Sequence, residues 1–211
     1  MNLKTLLLFM VICGAPALVQ ARCVVASDLE TGISFRREDG RGGLARRQGA
    51  LVHVTYAVPT DAWRDDRLAV FGIYETRADV HFDALPSVGG GYPRYDWVFA
   101  GKTPVPQPGQ NWTTRVRETR REDIGTAVAP PPQRKRFAVT YAFLPAQDVT
   151  LSRCSYTVIP VEAAIGDGAG TTSQRWLYFP DLGFGLETRR PAHLPGKADR
   201  RGLLAMTPVA K

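Results

Sequence analysis

A hydrolase needs a nucleophile beside a base, and acid–base work needs a titrating group held at its target. The chain has three histidines, His53, His81 and His193, and neither cysteine that survives export has a histidine close in sequence. It contains no G-x-S-x-G elbow and no H-E-x-x-H spacing, so it lacks the signature of an elbow-type serine hydrolase or a zinc peptidase. His53 and His81 fall on separate strands, which favours structural roles over a metal site. Only a cluster of His53, His81 and a carboxylate in a cleft would point to an enzyme. The acid pairs Glu38-Asp39, Asp65-Asp66 and Glu122-Asp123 read as solvated turn charges, because successive strand residues point to opposite faces. Asp167-Gly168-Ala169-Gly170 lacks the alternating carboxylates of a calcium loop and reads as a hairpin turn. Gly183-Phe184-Gly185 is too short for a dinucleotide fingerprint. The expectation is a protein that is not an enzyme and uses no metal or cofactor.

Binding chemistry is better represented. Arg115, Arg117, Arg120 and Arg121 approach a proline loop, and Arg134, Lys135 and Arg136 leave it. If the two strands pair, these cations gather at one end of a hairpin, either as a charged edge that resists aggregation or as a seat for an anion. Tyr56, Phe137, Tyr141, Trp176 and Tyr178 fall on strands as core residues or as the lining of a concave face. The candidate ligand-binding residues are therefore Arg115, Arg117, Arg136, Tyr141, Trp176 and Tyr178. In that reading an amphiphile lies on the aromatic face with an anionic head near the arginines. A carrier of this kind would enclose roughly 300 Å³ or more.

Short alternating segments must position these groups. Leu51 to Val58 alternates, with Val52, Val54, Tyr56 and Val58 on one face. Strands are expected at Gly32–Phe35, Leu68–Glu75, Ala78–Phe82, Tyr95–Phe99, Asn111–Arg120 and Arg136–Phe143. A long alternating strand should follow from Val149, then a Gly-rich hairpin and an aromatic strand ending at Pro180-Asp181-Leu182-Gly183. Arg36–Gln48 reads as a charged turn and Pro59–Arg67 as a polar connection carrying an exposed Trp63. Thr76-Arg77 reads as a turn, Leu85–Arg94 as a loop, Pro130-Pro131-Pro132 as a loop outside any ladder, and 191–211 as an irregular tail. No stretch keeps a helical period. The fold class is all-β, one antiparallel domain over 22–190, as a curved sheet or half-barrel or as a β-sandwich.

Residues 1–21 read as a cleaved export signal: Lys4, an apolar run from Leu6 to Ile12, and Val19-Gln20-Ala21 before the cut. Gly14 and Pro16 interrupt the run well short of the roughly 20 apolar residues of a spanning helix. No transmembrane segment is expected after cleavage. The chain carries +7, which becomes +6 once Lys4 is removed, so anionic envelope surfaces are natural partners. Export disfavours nucleic acid. Cleavage also discards Cys13 and leaves Cys23 and Cys154, an even pair that reads as one disulfide in an oxidising compartment.

From Pro108-Gly109-Gln110-Asn111-Trp112 through Trp176-Leu177-Tyr178-Phe179-Pro180-Asp181-Leu182-Gly183, the chain resembles uncharacterised exported all-β proteins of Gram-negative bacteria. Those proteins are distantly similar to the half-barrels of lipoprotein carriers. The resemblance covers about Pro104 to Arg189 and departs at Val149–Cys154. It implies a curved antiparallel domain in the periplasm and lends no activity. The function expected is a periplasmic, non-enzymatic protein binding a lipid-like or anionic envelope ligand. The alternative is an envelope protein that docks a protein partner through its charged edge.

Overall fold

The structure, a computed structural model, describes residues 22–57, 63–82, 92–123, 130–166, 170–189 and 202–209. Residues 1–21, read above as an export signal, lie outside the described residues, as do His193, Asp167 and the side chain of Trp63. The strands are β1 Ile33–Arg37, β2 Gly42–Gln48, β3 Leu51–Ala57, β4 Trp63–Val70, β5 Tyr74–Phe82, β6 Tyr92–Phe99, β7 Asn111–Asp123, β8 Gln133–Phe143, β9 Gln147–Leu151, β10 Cys154–Gly166, β11 Thr171–Phe179, β12 Phe184–Arg189 and β13 Leu203–Pro208. One helical turn, α1 Asp28–Thr31, precedes them. The strands form one antiparallel sheet in the order β12-β11-β10-β8-β7-β6-β5-β4-β3-β2-β1-β13, with β9 also on β10. The sheet curls into a nearly closed barrel, so the curved alternative holds and the sandwich does not. Among the described residues no helix is long and apolar enough to cross a membrane.

Several local expectations are corrected. Gly42–Gln48, read as part of a turn, is β2, in register from Gly42↔Ala57 to Gln48↔Leu51 of β3. Asp65 and Arg67, read as part of a solvated connection, lie inside β4 and are buried. The turn after β4 falls at Phe71-Gly72, both at positive φ, rather than at Thr76-Arg77. It is legible only in three dimensions because the turn is itself packed: a Cβ on Gly72 would meet the Gly185 carbonyl at 2.3 Å. The long strand from Val149 breaks at Ser152-Arg153, a two-residue hairpin with both residues at positive φ, the primed type of turn that usually uses Gly or Asn. Residues 203–208 are not irregular tail. They form β13 on β1, with Leu203 and Met206 in the core.

β7 lies between β6 and β8, so Arg115 and Arg117 are not on an edge. β8 pairs with β10 only from Ala138 to Phe143, and among the described residues Arg134, Lys135 and Arg136 have a neighbouring strand on the β7 side alone, where a charged edge is the expected arrangement.

Closure is achieved at a seam. Met206 N–H donates to Ser152 Oγ (3.2 Å), Val24 N–H donates to Tyr156 Oη (3.0 Å), and the Cys23–Cys154 disulfide ties the N-terminal segment to β10. The expected disulfide is present. On β10 the partner strand changes from β9 (up to Val158↔Gln147) to β8 (from Val161↔Phe143). Pro160 sits in that gap, where its missing N–H costs no rung on that side. The core divides there too: Cys154, Tyr156 and Val158 join one cluster, and Ile159, Val161 and Ala163 the other.

Gly43 shows how the barrel bends. Its partners across the sheet are Phe35 and Tyr56, whose rings meet edge to face at 5.4 Å above it. A Cβ on Gly43 would lie 2.1 Å from the Thr55 carbonyl and 2.4 Å from the Phe35 ring. Gly43→Ala should therefore cost about 1–3 kcal/mol, the usual penalty of overpacking, read as a lower urea midpoint at unchanged slope.

Candidate functional site

The inner face of the barrel combines an aromatic wall, a buried ionic cluster and a cavity. Register builds the wall in rows. Trp97, Glu118 and Lys135 face one another across β6, β7 and β8, and Phe99, Val116 and Phe137 form the next row. Trp112 then pairs with Tyr141, Tyr141 with Ala163, and Ala163 with Gln174. Phe143, Val161, Trp176 and Glu187 complete a further row across β8, β10, β11 and β12. Period-two alternation is what puts these side chains on one face of the sheet, buried or half-buried except for Lys135, which is exposed.

Between the rows lies a cavity of about 240 Å³, lined among others by Trp97, Phe99, Phe137, Tyr141, Trp176 and Glu75. It is smaller than the roughly 300 Å³ expected of a carrier of drug-sized ligands, and is equivalent to about eight water volumes at ~30 Å³ each. Its polar groups are few and positioned. Trp97 Nε1–H donates to Glu118 Oε2 at 2.9 Å, and Glu75 holds its place by accepting from Arg67 Nη1 at 2.9 Å.

Arg67 anchors the ionic cluster. Only 4 % of its side chain is exposed, yet its donors are served: Nε donates to both Asp65 oxygens (3.1 Å each), Nη1 to Glu75 and to Glu187 Oε2 (2.5 Å), and Nη2 to Asp65. Burial alone would lower its pKa, but Glu75, Asp65 and Glu187 outweigh that and hold it well above its ordinary value. Tyr56 stands between two guanidinium groups, Arg67 at 4.9 Å and Arg37 at 5.0 Å from its ring centre, and its hydroxyl accepts from Glu187 N–H at 3.3 Å. Arg37, 1 % exposed, donates to Asp39 at 3.1 Å and lies 4.0 Å from Glu187.

Four tyrosines in this interior are pushed up. Burial is the main cause for each. Glu187 adds to it at Tyr56, Glu75 and Tyr74 at Tyr141, and Tyr178 at Tyr74, while burial alone acts on Tyr178. A phenol whose folded pKa exceeds its unfolded value stabilises fully below the unfolded value, about 10, and loses that contribution as pH rises past it. Stability should therefore fall above pH ~10, by about 1.4 kcal/mol per pH unit for each tyrosine that stays neutral, and the melting temperature should fall with it. Circular dichroism melts across that range check this, and an unchanged melting temperature would contradict it.

The structure sorts the sequence candidates onto two faces. Tyr141 and Trp176 line the cavity, and Tyr178, 4 % exposed, packs just beyond it with its ring 6.3 Å from that of Phe71. Arg115, Arg117 and Arg136 point outward and are exposed. A single site with an aromatic floor and arginine head-group contacts is therefore not formed, because alternate strand residues lie on opposite sides of the sheet. Sequence reasoning missed Glu75, Trp97, Glu118, Arg67 and Glu187 as a connected set. Its available signal was a lone charge inside an otherwise apolar strand, as in Phe184-Gly185-Leu186-Glu187.

His53 and His81 do meet a carboxylate: His53 Nε2 lies 3.2 Å and His81 Nε2 3.8 Å from Asp66. The group is on the outer face, with 38 % of His53 and 32 % of His81 exposed. Asp66 is also engaged by the Thr55 hydroxyl at 2.6 Å and by Arg64 at 2.7 Å. Thr55 thus donates to the carboxylate rather than to a histidine, which is not the order of a nucleophile–base pair. Among the described residues no group of three or more His, Cys, Asp or Glu is arranged to hold a metal ion. Comparison of the chain with protein-family models, with curated proteins and with solved structures found no match in any of the three.

Proposed function

We propose that the protein is an exported, non-enzymatic binding protein that takes a small amphiphile into the barrel. The observation that carries this reading is the aromatic cavity of about 240 Å³, with Glu75 and Glu118 at its wall. The apolar body of the ligand lies against Phe99, Phe137, Tyr141 and Trp176. Its head is a hydrogen-bond donor or an ammonium group, because two carboxylates, Glu75 and Glu118, stand against one cation, Lys135, on the wall, and aromatic faces attract cations. Export is supported by the leader at 1–21 and by a disulfide, which persists in oxidising compartments. The resemblance of the stretch from Pro104 to Arg189 to exported half-barrel proteins fits the same reading.

Native mass spectrometry of the unreduced protein, gently purified from its own compartment, tests it. A small-molecule adduct is expected on the wild type and should be absent from Ile165→Trp, which fills the cavity from β10. An adduct kept by Ile165→Trp would overturn the assignment of the site, and a uniformly ligand-free protein would count against a tight ligand.

A further inference from the structure

The outer face of β6, β7 and β8 carries a groove of about 710 Å³, which shares only Phe99, Val116 and Phe137 with the interior cavity. Arg115, Arg117 and Arg136 line it. Register sets Arg117 directly opposite Arg136 on one side and Val98 on the other, and sets Arg115 opposite Ala138, which in turn faces Gly166 of β10. Small side chains thus form the floor and arginines the walls. Arg134, opposite Thr119, extends the row.

Directly opposed like charges destabilise a sheet. Several arginines elsewhere are neutralised, Arg64 by Asp66, Arg77 and Arg121 by Asp96, and Arg175 by Glu162, whereas Arg36 and Arg153, without an ion pair among the described residues, do not face another arginine across a strand pair in the way Arg117 faces Arg136. Among the described residues Arg115, Arg117, Arg134 and Arg136 make no ion pair, and no carboxylate lines the groove. Edge protection does not account for Arg115 and Arg117, since β7 is flanked on each side. Beside Arg117 stands Val98, 53 % exposed, an apolar side chain presented to solvent within a cationic row. Free cations next to an exposed aliphatic group, on an open outer surface, match a layer of phosphodiester headgroups over hydrocarbon better than a compact soluble anion. Guanidinium groups bind phosphate bidentately, and basic clusters are drawn to anionic lipid.

We propose that this face docks the protein on an anionic lipid surface, with Arg115, Arg117 and Arg136 taking headgroup phosphates and Val98 entering the layer beside them. None of Arg115, Arg117, Arg136 and Val98 lines the interior cavity. Co-sedimentation with vesicles of phosphatidylcholine containing about one-third phosphatidylglycerol tests it. Partition is expected into these vesicles but not into pure phosphatidylcholine, weakening as salt rises. The R117E/R136E double variant should bind about 100-fold less or weaker still, with an unchanged thermal melt. If that variant fails to fold, R136Q is the milder probe, with a loss of about 5-fold. Equal binding to both vesicle types, or binding unchanged in a folded variant, would overturn the proposal. So would binding of inorganic phosphate in solution without any vesicle partition.

Discussion

Arg67→Ala should lower stability by about 3–5 kcal/mol, the cost of leaving one side of a buried charge cluster without its partner. The reason is specific to this interior. Asp65, Glu75 and Glu187 all converge on the one guanidinium, and Glu187 is 1 % exposed. Without Arg67 the three carboxylates face one another, and Tyr56 loses one of its two flanking cations. The deficit should be reduced when Glu187→Gln is added, because the pair shares one contact and cannot be additive. Urea unfolding of the two single variants and the double variant measures this cycle. Strictly additive losses would show that Arg67 and Glu187 are not coupled.

The second large effect is at the seam. Reducing Cys23–Cys154, or replacing Cys154 with Ser, should cost about 2–5 kcal/mol. The bond spans 131 residues, so the unfolded chain gains much freedom when it is cut. For a domain of this size that is a melting-temperature drop of about 5–15 °C. The loss should be local as well as global. Val24 N–H, held by Tyr156 Oη at 3.0 Å, should exchange faster in the reduced protein, while amides at the β7–β8 pairing keep their protection. A reduced protein that melts at the same temperature would mean that the seam is held by β13 and the N-terminal hydrogen bonds alone.

Much of this barrel was legible in the sequence because a half-buried strand records its inner face at every second residue. Val52, Val54 and Tyr56 on β3, and Phe137, Val139, Tyr141 and Phe143 on β8, fall inside as their alternation implies. The pairing of the two cysteines was legible because reading 1–21 as a cleaved signal sets Cys13 aside and leaves one pairing. What escaped were features whose local chemistry contradicts their surroundings. β2 is rich in Gly and Arg because Phe35 needs an uncovered backbone to lie on, so it reads as a turn. The Phe71-Gly72 turn is apolar because it packs against β12, so it reads as strand. Arg67 and Glu187 look like surface charges and are instead neutralised by one another inside. The division of the ligand candidates between two faces depended on register, since Arg136 and Phe137 are neighbours in the chain and opposites in the sheet.

The account rests on the interior cavity being a ligand site, and the indole N–H signals of the tryptophans test that directly. Trp97 and Trp176 line the cavity, and the Trp97 N–H is the one bonded to Glu118. On titration with phenethylammonium, the Trp97 and Trp176 indole signals should shift together and saturate, and the same titration of Ile165→Trp should leave the Trp97 and Trp176 signals still. Matching shifts with phenylpropionate but not with phenethylammonium would reverse the assigned polarity of the head. Indole signals unmoved by both compounds would contradict the cavity as a binding site.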